Sequence, residues 1–154
     1  MAIKTVPAEE LLAMARTDLG VSDWVTLDQE RINQFADCTE DHQFIHINEE
    51  AAAKPPLGAP LPTFLTIDAG EQLTEGIGVH PKGLVMGVNY GLNKVRFLNP
   101  VRAGKRVRAH VQLTAVEQKD ANRFLMTQTI TVEIEGEETP ALVAEWLGMS
   151  VTGG

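Results

Sequence analysis

Residues 106–116 read RVRAHVQLTAV and residues 122–136 read NRFLMTQTITVEIEG, and in both stretches the polarity changes at nearly every step. In the first, Val107, Ala109, Val111 and Leu113 alternate with Arg106, Arg108, His110 and Gln112. In the second, Phe124, Met126, Ile130, Val132 and Ile134 alternate with Thr127, Thr129, Thr131 and Glu133. A period of two puts successive side chains on opposite faces of a strand, so each stretch predicts a strand with one dry and one wet face. KDAN at 119–122 and EGEE at 135–138 read as hairpin connections, which makes the strands antiparallel. ALVAEWLGMSV at 141–151 is apolar on both faces and is expected nearer the centre of the sheet; LVMGVNYGLNKVRF at 84–97 supplies at least one more strand.

Upstream of these the period lengthens. PAEELLAMART, from Pro7 to Thr17, predicts a short amphipathic helix with Pro7 in its first turn and Glu9 and Glu10 at its positive end. TLDQERINQFADCTED predicts a second, capped by Thr26 or Asp28, with Ile32, Phe35 and Ala36 on one face and an end just before Asp41. Asn48 is placed to cap a further turn, NEEAAAK, that Pro55-Pro56 must stop. TFLTIDAGEQLT, from Thr63, is the remaining helical stretch. Helices followed by a run of strands predict an α+β fold, with the segment from Thr63 as the helix around which an antiparallel sheet would wrap.

A chain of 154 residues suffices for one core, so residues 1–154 are expected to form a single domain. The formal charge of −8 repels nucleic acid and anionic membrane surfaces, arguing against either as a main partner. No apolar run approaches the roughly 18 residues of a spanning helix. Cys38 is alone, and MAIKTVPAEE lacks the apolar centre of a signal peptide, which leaves a cytoplasmic location as the expectation.

The chemistry-bearing stretch is CTEDHQFIHINEE, residues 38–50, where Asp41 and His46 stand five apart. A carboxylate and an imidazole that reach one water can take and return protons near neutral pH. The competing reading makes Asp41 a turn cap and His46 a half-buried residue satisfied by backbone. Phe44 and Ile45, between them, are expected to form an apolar wall. His42 and His46 are spaced four apart like two metal ligands, but there is no HExxH and no nearby histidine or cysteine to complete a set, so no metal is expected. Lys94, Arg96, Arg102, Lys105, Arg106 and Arg108 make up nearly half of the 13 cations. They form either an anion-binding surface or a strand face paired with acidic neighbours. Glycine patterns that cradle phosphate are absent, so no nucleotide cofactor is indicated.

FADCTEDHQFIHINEEAA, residues 35–52, resembles the first signature of the MaoC-like dehydratases, the (R)-specific enoyl-CoA hydratase group, in which a histidine follows an aspartate by five residues. SDWVTLDQERINQFAD before it and MGVNYGLNKVRFLNPVRAGKRV after it resemble the nodulation-protein-N-like branch, so the likeness covers nearly the whole chain. The resemblance implies a hot-dog fold, paired as a homodimer or a dimer of dimers. The implied reaction is the reversible hydration of a trans-2-enoyl-CoA to the (R)-3-hydroxyacyl-CoA, with coenzyme A entering only as part of the substrate and no cofactor. Asp41 would be the base and His46 the acid, although coupled groups leave the reverse assignment open. Arg96, Arg102 and Lys105 would then dock the coenzyme A phosphates, an inference added to the resemblance.

Three positions depart from the family pattern. A histidine-glycine pair usually precedes the FLT of the buried helix, and the glycine N–H is the oxyanion donor; here the pair is Pro62-Thr63. Proline has no N–H, but Thr63 keeps one and takes the donor role. Glu40 replaces a glycine, and Asp68 stands mid-helix where a small or hydroxyl residue is expected and needs a partner or a proton. Pro62-Thr63 and Glu40 raise one alternative, a non-catalytic acyl-thioester binding protein, and the several thioester chemistries that the fold hosts raise another, a hot-dog acyl-CoA thioesterase.

Overall fold

The computed structural model describes residues 3–62, 65–66, 73–74 and 76–153. Among these the chain order is β1 (Lys4–Val6), α1 (Ala8–Ala13), β2 (Thr17–Val21), β3 (Val25–Thr26), α2 (Gln29–Thr39), α3 (Phe44–Ile47) and α4 (Glu49–Ala52), followed by β4 (Val79–Pro81), β5 (Leu84–Phe97), β6 (Arg106–Asp120), β7 (Arg123–Ile134) and β8 (Leu142–Thr152). Six strands make one antiparallel sheet in the order β2-β6-β7-β8-β5, with β3 also on β6; β1 and β4 form a separate parallel pair.

The alternating stretches are the middle of this sheet. Register sets Val107 opposite Ile134, Ala109 opposite Val132 and Val111 opposite Ile130, and every one of these side chains is buried. The wet row pairs Arg108 with Glu133 and Gln112 with Thr129. β8, apolar on both faces in the sequence, lies between β7 and β5, as its composition predicts. Leu65, Leu73 and Ile77 belong to the same core as Val107, Val111, Ile130, Val132 and Ala144, and residues 65–66 and 73–74 are helical. These helical residues therefore pack into the core on the inner face of the sheet. Thr63 and Asp68 lie outside the described residues.

The amino-terminal helix is shorter than its pattern suggests. It ends at Ala13, Arg16 turns the chain at φ 68°, and Thr17 enters β2 opposite Leu113. Leu11 is fully buried and joins Val6, Val79, Leu113 and Phe124 in a second, smaller cluster, so packing beneath the sheet's edge outweighs the helix propensity of the last turn. β1, β2 and β3 were too short to show alternation. β5 differs from its neighbours: it pairs with β8 on one side, and Val85, Met86, Val88, Tyr90 and Leu92 are all exposed along it.

Candidate active site

Asp28 opens α2 by accepting the Arg31 N–H at 2.9 Å, a cap worth about 1 kcal/mol. It fixes the face on which Ile32 and Ala36 are buried and Phe35 packs against the core. The helix stops at Thr39, and Glu40 follows in the left-handed region at φ 59°, ψ 20°. That is the position after a helix that favours glycine, since a side chain there costs on the order of 1 kcal/mol. Glu40 thus makes under strain a turn that a glycine would make freely. The turn sends Asp41 back across the helix end.

One turn of helix, α3, then carries His46. Its Nδ1 lies 2.5 Å from the Leu61 carbonyl oxygen. A carbonyl only accepts, so Nδ1 carries the proton and donates it. This leaves Nε2 aimed at Asp41, 3.6 Å from Oδ2. That separation is too long for a direct hydrogen bond, and short enough for one water oxygen to reach both atoms. Asp41 Oδ1 accepts the Gln43 N–H at 3.4 Å, so the turn-capping role and the approach to His46 coexist in one carboxylate. The His46 side chain is 14% exposed and that of Asp41 49%: the imidazole is sunk and the carboxylate faces the opening. Both line a cavity of about 220 Å³ whose apolar walls are Ile32, Phe35, Ala36, Ile45, Pro62 and Leu65.

Phe44 is not part of that wall. The turn of α3 rotates it outward, 55% exposed, while Ile45 points in. α2 and Leu65 supply the apolar surface that the sequence pattern assigned to Phe44. His42 Nε2 pairs with Asp37 Oδ1 at 2.9 Å, so the two histidines face different carboxylates. Asn48 caps α4, accepting from the Ala51 N–H, as its position predicted.

The basic run divides. Arg106 and Arg108 form ion pairs with Glu135 and Glu133 across the β6–β7 register, and both guanidinium groups lie over the Trp24 ring. Lys94 pairs with Glu145 at 3.2 Å and Lys105 with Glu137 at 3.6 Å. Arg96 is exposed near the end of β5. Arg102 touches the proline-rich segment beside the site, donating from Nε to the Leu57 carbonyl at 3.1 Å. A larger cavity, about 470 Å³, runs along β5 and β8 beside Trp146 and His80 and includes neither Asp41 nor His46. Burial there holds the His80 imidazole below its ordinary range.

Two contributors escaped the sequence reading. The Leu61 carbonyl orients the imidazole, and the Gln29 side chain donates from Nε2 to the His46 carbonyl at 2.7 Å. A main-chain oxygen carries no residue signature, and a glutamine opening a helix looks like any other surface amide. The order Pro-rich segment after His46 is the only trace the sequence holds of the first.

A family model described as MaoC like domain matches residues 12–135. The 3-hydroxyacyl-thioester dehydratase Z of Mycobacterium tuberculosis is 44% identical over 137 residues, covering 88% of this chain and 90% of that one. Nodulation protein N of Rhizobium leguminosarum bv. viciae is 42% identical over 132 residues, 84% of this chain and 82% of that one. Among solved structures, the unliganded R-hydratase PhaJ1 of Pseudomonas aeruginosa superimposes with a TM-score of 0.71 over 98% of this chain and 89% of the other. Its sequence identity to this chain is 16%, so the likeness is one of fold.

Proposed function

This chain belongs to the MaoC-like dehydratase family and has its hot-dog fold, and on that premise we propose that it hydrates trans-2-enoyl-CoA thioesters reversibly to (R)-3-hydroxyacyl-CoA thioesters. The observation that carries this reading is the orientation of His46: Nδ1 is committed to Leu61, and Nε2 faces Asp41 at 3.6 Å over an apolar cavity. Hydration adds the water oxygen to the β-carbon and a proton to the α-carbon. The pair must accept one proton and release one, so it starts the cycle holding a single proton between Asp41 and His46 Nε2. Asp41 as carboxylate takes the proton of the attacking water. His46, protonated on both nitrogens, delivers its Nε2 proton to the α-carbon. A proton shift from Asp41 to His46 Nε2 then restores the starting state.

Negative charge developing on the thioester oxygen requires a donor, and the Thr63 N–H is assigned that role. Losing such a donor typically costs on the order of 100-fold in rate. Arg96, Arg102 and Lys105 are assigned to the coenzyme A phosphates, a role supported for Arg102 by its bond to Leu57 in the segment that follows His46. The exposed apolar row on β5 supports a dimer in which two sheets join at this edge, because an open edge with Val88, Tyr90 and Leu92 exposed invites pairing. The wild type is expected to sediment as a dimer and the Val88→Lys, Tyr90→Lys double variant as a monomer; a monomeric wild type would remove the dimer from the proposal.

The test of the activity is loss of enoyl absorbance with crotonyl-CoA and a longer enoyl-CoA, wild type beside Asp41→Asn. Turnover in the wild type, reduced 100-fold or more in Asp41→Asn, is the expected result. Tight acyl-CoA binding without hydration would instead make this chain a binding protein, and release of free thiol would make it a thioesterase.

A further inference from the structure

Gln29 is the first residue of α2 and lies 17 residues before His46, yet its side-chain amide meets the catalytic turn. Nε2 makes two bonds, to the His46 carbonyl at 2.7 Å and to Asn33 Oδ1 at 2.9 Å. Its Oε1 is buried with no hydrogen-bond partner among the described residues. Buried orphan acceptors are rare in folded proteins because nothing repays the lost hydration. The amide cannot relieve this by flipping, since its oxygen would then face the His46 carbonyl, another acceptor. The unsatisfied oxygen is the consequence of keeping a donor on His46.

His46 sits at the end of a four-residue helix, where the last carbonyls have no partner within the helix. Gln29 supplies one. Leu61 holds the ring through Nδ1 and Gln29 holds the main chain of the same residue, so the imidazole is fixed at two points on opposite sides of its Cα. We infer that Gln29 is a positioning residue for the proton-transfer pair, holding the His46 backbone so that Nε2 keeps its aim on Asp41. The inference rests on the acid/base reading of the pair, and one arm of its test is independent of turnover.

The variant is Gln29→Met, which matches the length and removes both the donor and the orphan oxygen. The first readout is the His46 Nδ1–H proton in the NMR spectrum, identified by its absence in His46→Gln and expected as a slowly exchanging downfield signal in the wild type. In Gln29→Met that signal is expected to broaden or vanish while the melting temperature holds. The second is kinetics on crotonyl-CoA, with kcat expected to fall about 10- to 100-fold at unchanged KM. An undiminished signal in the variant, or a wild type without a protected signal, overturns the inference. So does a melting temperature that falls together with the signal, because Gln29 would then support the fold at large. A wild type that lacks hydratase activity but shows the NMR contrast leaves the positioning role standing and removes the hydratase reading instead.

Discussion

His110 on β6 and His46 on α3 each approach a carboxylate, one on the outer face of the sheet and one over a cavity. Glu133 receives His110 Nε2 at 2.8 Å and the Arg108 guanidinium as well. Burial pushes the Glu133 carboxyl up, but the hydrogen bonds from Arg108 and His110, with their charges, more than reverse this and hold it below its ordinary value. Both of its oxygens are bonded. Asp41 has one long bond from a backbone N–H, at 3.4 Å, and an imidazole 3.6 Å away that is tethered elsewhere. The same two functional groups give a structural clamp where both carboxylate oxygens are bonded, and the site proposed for proton transfer where the carboxylate is left under-bonded beside an apolar wall.

The sharpest way to break this comparison is to exchange each histidine for glutamine. His46→Gln is expected to lower kcat for enoyl-CoA hydration by about 10²- to 10⁴-fold, and His110→Gln to stay within about twofold of wild type, by the same absorbance assay. Comparable losses in both would erase the distinction.

A smaller effect lies in stability. The Glu133 carboxyl is held below its ordinary value in the fold, so its contribution is fully present above the unfolded value and is lost as pH falls through the lower folded value. Glu133→Gln is therefore expected to be less stable than wild type at pH 6, by about 1 kcal/mol or less for so accessible a cluster. Thermal unfolding followed from pH 6 to pH 3 should show the gap closing in the acid range. A gap that is independent of pH would mean packing, and not the ionised cluster, is what Glu133 contributes.

How far each region was legible follows from what kind of group does the work. The inward face of β6 and β7 was legible, because Val107, Ala109, Val111, Ile130, Val132 and Ile134 each declare a face and all are buried, although β6 runs to Asp120, into the stretch read as a connection. Asp28 and Asn48 were legible as caps for the same reason: a side chain with one geometric use stands where that use arises. Asp41 and His46 were legible as a spacing, but their geometry was not. What aims His46 is the Leu61 oxygen and an amide from the far end of α2, neither of which residue identity reveals. Phe44 misled because apolar residues adjacent in sequence diverge in a single helical turn, and α3 is only four residues long. The basic run could be read two ways because cross-strand register, which no single strand contains, decides that Arg106 and Arg108 meet glutamates.

Leu61 is bonded to the α3 turn twice, its N–H donating to the Ile45 carbonyl at 2.9 Å and its carbonyl accepting from the His46 ring. The intervening chain, residues 47–60, is consequently a closed excursion with a hydrogen-bonded neck. Loops of this kind can be lengthened, shortened or nicked at their tips while the neck holds. Evolution can thus rewrite this stretch as a changeable rim beside a fixed His46, and a protein engineer can do the same by grafting new sequence between Ala53 and Ala59 without re-siting that ring.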